Sequence, residues 1–321
     1  MNQNILEFQK AISDAGTLLL MNTEWVLRYS DYASDIDGNL DNITTVRKSF
    51  HEWNPLKLYL NVSNAKIAKA KVRFNVRYLG QAVADIEGSS FLKISTKKYD
   101  TKSLRDFGCN IALHDTLWRS PSATAFRNFF KSHQASFNKG NEEHRLESLL
   151  ISELSKTKDK LLFKIKPITI SGLRFPMPTP LKASNHKSIS YAGYSGGGID
   201  IFARTGIGRD THLCVIELKD QNTLKEPPKE AIKQALAYTK FIRELLRSPS
   251  GKEWYKLFGF SGDVPKKLII YAACAMPNGK NNDSSFAKQK LNLGGEDEVV
   301  LHYIYFDEFN NKITNIITSI E

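Results

Sequence analysis

Hydrophobic and polar positions follow two different periods along this chain, and the changes of period mark its elements. Asn4 to Ala15 spaces its apolar residues as a helix does. Lys71-Val72-Arg73-Phe74-Asn75-Val76-Arg77-Tyr78 instead alternates strictly, the pattern of a strand with one dry and one wet face. Leu79-Gly80-Gln81 can turn and Ala82 to Ile86 can return, so the stretch predicts a hairpin. Its wet face carries Lys71, Arg73 and Arg77. Such a face can touch a phosphate backbone, and more often is simply solvated. Phe91 to Ser95 reads as a further strand, followed by Lys97-Lys98. The region to about residue 130 therefore reads as α+β or mostly β.

A polar stretch from Ser132 to Gly140 reads as a linker, dividing the chain into residues 1–130 and 135–321. A helix follows, with Asn141 able to cap it and Glu142-Glu143 favoured in its first turn. Its apolar stripe is Leu146, Leu149, Leu150 and Leu154, and Glu147 falls inside that stripe, with Glu143 one turn earlier. A carboxylate facing a core costs several kcal/mol unless it is paired or binds a metal, though one at the stripe's edge reaches water. The prolines of Phe175 to Pro180 make a loop or sheet edge. Gly198 to Ala203 and His212 to Lys219 read as consecutive strands of one hairpin. Lys229 to Leu246 predicts a long helix after Pro227-Pro228. Lys267 to Ala275 predicts a strand covered on both faces, because it is continuously apolar. Val299 to Phe306 predicts a last strand, and Asn310 to Ile320 a closing helix.

The chain has 321 residues, enough for one large domain or two smaller ones. A hydrophobic share of 41% with 25% charged residues is that of an ordinary globular protein. The net charge of +11 suits a polyanionic partner and equally a basic surface with no such role. Three scattered cysteines, Cys109, Cys214 and Cys274, give neither a disulfide framework nor a zinc site. Cys214 and Cys274 lie in apolar runs and read as buried thiols, which fits a cytoplasmic protein. No apolar stretch is long enough to span a membrane, and Leu18 to Met21 is too short for a signal peptide.

Candidate chemistry centres on Gly198-Ile199-Asp200-Ile201 and Val215-Ile216-Glu217-Leu218-Lys219. On a strand Glu217 and Lys219 point the same way. Two carboxylates and an ammonium meeting at one place suit a divalent metal and a scissile phosphate. A bare D…ExK pattern is common by chance, and Glu217 with Lys219 would otherwise be a solvated pair on a strand. Here both acids adjoin apolar runs, an acid-bearing helix precedes them, and Gln234-Ala235-Leu236-Ala237-Tyr238 follows on a helix. Gln234 and Tyr238 are four apart and share a face of that helix.

This order resembles the PD-(D/E)xK nuclease superfamily over roughly residues 141–306, and the Gln234/Tyr238 pair is similar to the QxxxY motif of its RecB-like and Cas4-like branch. The resemblance implies an α/β fold with a restriction-endonuclease-like core, a central mixed β-sheet flanked by helices. It implies Mg²⁺ or Mn²⁺ held by Asp200, Glu217 and the Leu218 carbonyl, with Glu147 as the upstream acid and Glu143 as the fallback. Lys219 would orient the attacking water and offset transition-state charge, and Gln234 and Tyr238 would position the DNA backbone or a metal-bound water. The partner implied is DNA, and a homodimer is compatible because cutting both strands usually takes two sites. The sequence departs from the pattern in having Ile199 where a proline is common, and in a Gly196-Gly197-Gly198 run longer than the motif needs. An iron–sulfur variant lacks its four cysteines.

Other chemistries fit less well. There is no GxxxxGK[ST] loop and no HExxH. Trp25, Trp53, Trp118 and Trp254 could stack bases, but lone tryptophans are usually core or interface residues. Three readings stay open at this point: an active metal-dependent DNA nuclease, a nuclease-fold DNA-binding or assembly module that does not cut, and an unrelated α/β protein.

Overall fold

The computed structural model describes residues 3–50, 54–62, 72–132, 142–156, 162, 164–184, 188–206, 208 and 210–320. Helices α1 (Gln3–Met21), α2 (Glu24–Asp37) and α3 (Leu40–Phe50) come first. Strands β1 (Lys57–Val62), β2 (Val72–Tyr78), β3 (Gln81–Glu87), β4 (Lys93–Ser95) and β5 (Thr116–Leu117) follow, with α4 (Ser103–Asp106) before β5. Helices α5 (Pro121–Ser132) and α6 (Glu142–Leu154) precede β6 (Ile165–Pro167), β7 (Thr169–Ile170), β8 (Leu173–Arg174), β9 (Leu181–Lys182) and β10 (Ser190–Tyr191). Next come β11 (Ile201–Thr205), β12 (His212–Leu218), α7 (Pro228–Arg247) and α8 (Gly251–Leu257). The last strands are β13 (Ile269–Pro277), β14 (Lys290–Gly294), β15 (Asp297–Phe309) and β16 (Lys312–Thr318).

Contacts divide the chain into a smaller unit, Ser34–Ser148 with Thr169–Phe175, and a larger one, Met1–Ala33, Leu149–Ile168 and Pro176–Glu321. The sequence break at 130–135 does not coincide with this division. Helix α1 packs on α7 within the larger unit, where Phe8 meets Phe286 edge-on at 6.2 Å and Trp254 Nε1 donates to Tyr29 O at 3.0 Å. Residues 133–140 of the predicted linker, the Asn141 cap and Lys71 lie outside the described residues, and Ser132 ends α5.

The smaller unit is built on a sheet of order β5-β4-β3-β2-β1-β8-β7. The predicted hairpin is β2 and β3, joined through Leu79 and Gly80 at φ 47° and 81°. Two successive positive φ angles match the strands' twist, and Gly80 also has His144 O where a Cβ would stand, 2.4 Å away. Phe74, Val76 and Tyr78 face the core, where Tyr78 meets Phe107 and Phe130.

The larger unit holds a mixed sheet of order β14-β15-β13-β12-β11-β6, with β16 also on β15. Strands β12, β13 and β15 run parallel and the other pairs antiparallel. The link from β12 to β13 includes α7, which packs on both. Pro228 opens α7, where its missing N–H costs nothing. Among the described residues no helix is long and apolar enough to cross a membrane.

The closing helix expected at Asn310 to Ile320 is instead strand β16, antiparallel to β15. Ile313, Ile316, Ile317 and Ile320 mimic a helical stripe. Asn310 and Asn311, at φ 51° and 59°, turn the chain back on β15, and β-branched residues fit the resulting pleat better than a helix.

Asp297 pins the sheet to α7. Its carboxylate accepts from Arg243 Nε at 2.8 Å, from Arg247 at 3.0 and 2.6 Å, and from the Leu268 N–H at 2.8 Å. Burial alone would raise its pKa, but the bonds from Arg247, Leu268 and Arg243 outweigh this and hold it below the ordinary value. A depressed carboxyl contributes stability above its unfolded pKa of about 4 and loses it as pH falls through the folded value. Asp297→Ala is expected to lose about 2–3 kcal/mol at neutral pH, the low end for a buried pair because both arginines reach solvent. Asp297→Asn should flatten the acid limb of stability below about pH 4, and urea titrations over pH check this.

Candidate active site

Strands β11 and β12 frame the site. Their register pairs Ile201 with Ile216, so Asp200, just ahead of β11, arrives beside the end of β12. Asp200 Oδ2 accepts a hydrogen bond from the Leu218 N–H at 2.9 Å, between Glu217 and Lys219 in the chain. Glu217 is 4% exposed and Lys219 8%. Lys219 Nζ donates to Glu217 Oε1 at 2.9 Å, and the Lys219 N–H donates to Ala275 O on β13 at 2.9 Å.

Helix α7 brings Tyr238 to the same place. Its hydroxyl is pushed far above the ordinary phenol pKa, first by burial and next by the charge of Glu217. Asp200 pushes the same way and Lys219 opposes. One phenol oxygen thus feels all three residues of the D…ExK pattern. The same oxygen accepts from Ala183 N and donates to Ala183 O, both at 3.3 Å. One turn earlier on α7, Gln234 is 4% exposed, and its buried Nε2 has no hydrogen-bond partner among the described residues. An unsatisfied buried donor costs about 1–3 kcal/mol, which a bound substrate group or water would recover. Gln234 lines a cavity of about 490 Å³ with Ala183, with Lys233 of α7, and with Glu7, Lys10 and Asp14 of α1. The sequence gives no sign that Ala183 or α1 borders this place, because neither carries a motif.

The triglycine run acquires a reason. Gly197 N donates to Leu181 O at 2.8 Å, Thr179 N to Gly197 O at 3.0 Å and Ile199 N to Met177 O at 3.0 Å. The run therefore lies backbone to backbone along residues 177–181. A Cβ on Gly196 would stand 1.9 Å from Thr179 O, and one on Gly197 would stand 2.8 Å from the Tyr238 hydroxyl. The glycines admit the neighbouring chain and the tyrosine, and so hold Asp200 at the mouth of β11.

Glu147 is buried on α6, and its carboxylate lies 3.4 Å from His144 Nδ1. That hydrogen bond raises the pKa of His144. Glu143 is half-buried one turn earlier. Both belong to the smaller unit, so their part in the site rests on the sequence resemblance. Trp25, Trp118 and Trp254 are buried core residues, and Trp53 lies outside the described residues. All three cysteines are buried free thiols.

Among the described residues no cluster of three or more His, Cys, Asp or Glu side chains could hold a metal. The D…ExK set is smaller, two carboxylates with the Leu218 main chain between them. Its chemistry still fits a hard divalent ion, which takes few protein oxygens and keeps several waters. No family model, curated protein or solved structure matches the chain.

Proposed function

We propose that this protein is a metal-dependent nuclease that hydrolyses DNA phosphodiester bonds, with a restriction-endonuclease-like core in its larger unit. The observation that carries the reading is the meeting of Asp200, Glu217 and Lys219 at the end of β12, with Tyr238 close enough for their charges to bear on its phenol. Two carboxylates with an ammonium beside them are residue types that suit phosphodiester hydrolysis.

Asp200, Glu217 and the Leu218 carbonyl would hold Mg²⁺ or Mn²⁺. Such an ion lowers the pKa of bound water and screens the phosphate's negative oxygens. Lys219, released from Glu217, donates to the water or phosphate oxygen where charge builds up. Tyr238 stays protonated and orients the backbone or a water, and the Gln234 amide bonds a substrate group.

The Glu217–Lys219 pair favours a second reading, in which the two charges satisfy each other and the fold serves as a DNA-binding or assembly module. Incubation with supercoiled plasmid, linear duplex and single strand, in Mg²⁺, Mn²⁺ or EDTA, separates the two. Metal-dependent cutting lost in Asp200→Asn is expected. DNA binding with no cutting under any condition would favour the module.

A further inference from the structure

One face of the smaller unit's sheet gathers four cations from three strands. Register sets Lys57 opposite Arg77, Asn61 opposite Arg73, and Tyr59 opposite Asn75 on one side and Arg174 on the other. Alternation puts these on one face, where Arg73 is exposed, Lys57, Arg77 and Arg174 are half-buried, and Tyr59 is buried with both guanidinium groups over its ring; Leu58, Leu60, Phe74 and Val76 fill the core on the other. Lys57 and Arg77 stand directly opposite each other on neighbouring strands, which concentrates positive charge at that end of the face.

The cluster is also pre-set. Arg77 and Arg174 place their guanidinium carbons 4.3 Å and 5.6 Å from the centroid of the Tyr59 ring. Arg77 Nε donates to Asn75 Oδ1 at 3.2 Å and its Nη1 to Gly80 O at 3.4 Å, while Arg174 Nη1 donates to Tyr59 Oη at 3.2 Å. A guanidinium has five N–H donors in a rigid fork, so these bonds orient both arginines and leave donors for phosphate oxygens. Holding them in advance reduces the ordering cost of binding. The acids of this face lie one strand away on β3. There Asp85 accepts from Lys98 at 2.5 Å and Tyr99 at 2.8 Å, and Glu87 pairs across with Lys93.

We propose that the β1–β2–β8 face docks the sugar–phosphate backbone of duplex DNA, with Arg77 and Arg174 as pre-set phosphate contacts and Lys57 and Arg73 beside them. The choice of DNA among polyanions rests on the nuclease reading.

The test is fluorescence anisotropy of a labelled DNA duplex with the full chain in EDTA, across a salt series. The triple variant Lys57→Gln/Arg73→Gln/Arg174→Gln is expected to bind about 10- to 100-fold more weakly, with the slope of log Kd against log salt shallower by about 2–3. Lys252→Gln/Lys280→Gln, on exposed positions of the larger unit, should bind as the unaltered protein does. A triple variant within about twofold of the unaltered Kd, with an unchanged slope, overturns the proposal, as does an equal loss in the control. Arg73→Glu, at an exposed position, repeats the test if the triple variant folds poorly. Tighter binding of an RNA duplex through the same residues would overturn DNA as the occupant. Docking without any cleavage in Mg²⁺ or Mn²⁺ would remove the nuclease reading and leave the face standing. Cleavage with docking unaffected by the triple variant would do the reverse.

Discussion

Lys219→Met is expected to lower metal-dependent DNA cleavage by about 10²- to 10³-fold, the loss seen when one fixed donor to a developing charge is removed. Methionine keeps much of the stem and removes the ammonium, and the main-chain bond from the Lys219 N–H to Ala275 O is untouched. Stability falls as well. Glu217 is 4% exposed, and a carboxylate left without its cation there costs about 3 kcal/mol. If Glu217 holds a divalent ion, adding Mg²⁺ should raise the Tm of Lys219→Met more than that of the unaltered protein, because the ion replaces the lost charge. Glu217→Gln/Lys219→Met should be more stable than Lys219→Met alone, since it leaves no uncompensated charge. Asp200→Asn is the cleanest companion. Its amide oxygen can still accept from the Leu218 N–H, so the frame survives while the charge is lost. Cleavage by Lys219→Met at the unaltered rate would sink the assignment of this site.

The glycine run should give a graded series. Gly196→Ala puts a methyl 1.9 Å from Thr179 O, a main-chain atom that cannot swing aside. The expected cost is about 3 kcal/mol, at the upper end for overpacking. Gly197→Ala meets the Tyr238 hydroxyl at 2.8 Å and Leu181 O at 3.2 Å, and should cost about 1–2 kcal/mol while moving Tyr238 off Ala183. Gly198→Ala meets only Met177 O at 3.9 Å, an ordinary contact, and should be within about 0.5 kcal/mol of neutral. Urea unfolding of the three variants measures the order, and a Gly198→Ala cost equal to that of Gly196→Ala would refute the packing argument.

Strong local periodicity was enough to place the elements that frame the candidate site, though not α2, α3 or α5. The alternation of residues 72–78 and the amphipathic stripe of α7 each define a buried surface, the unbroken apolar run at β13 is buried on both faces, and each forms as the pattern predicts. The Ile313 to Ile320 stripe misled because its spacing suits a helix while its β-branched residues and the turn at Asn310-Asn311 suit a strand on β15. Glu217 and Lys219 were legible because two-residue spacing alone puts them on one face. Nothing local announced that Tyr238 would touch Ala183, or that the glycines would lie against residues 177–181.

By itself, the sequence determined where the strongly periodic strands and helices form, that Glu217 and Lys219 share a face, and that Gln234 and Tyr238 share another. These follow from backbone periodicity, which any stretch of chain carries within itself. Only the tertiary structure decided that Asp200 bonds the Leu218 N–H and that the phenol of Tyr238 feels all three charges. It alone set Arg174 beside Tyr59, and α1 against α7. Those pairings depend on strand register and helix packing between segments far apart in the chain, and such choices are settled by how whole surfaces bury one another.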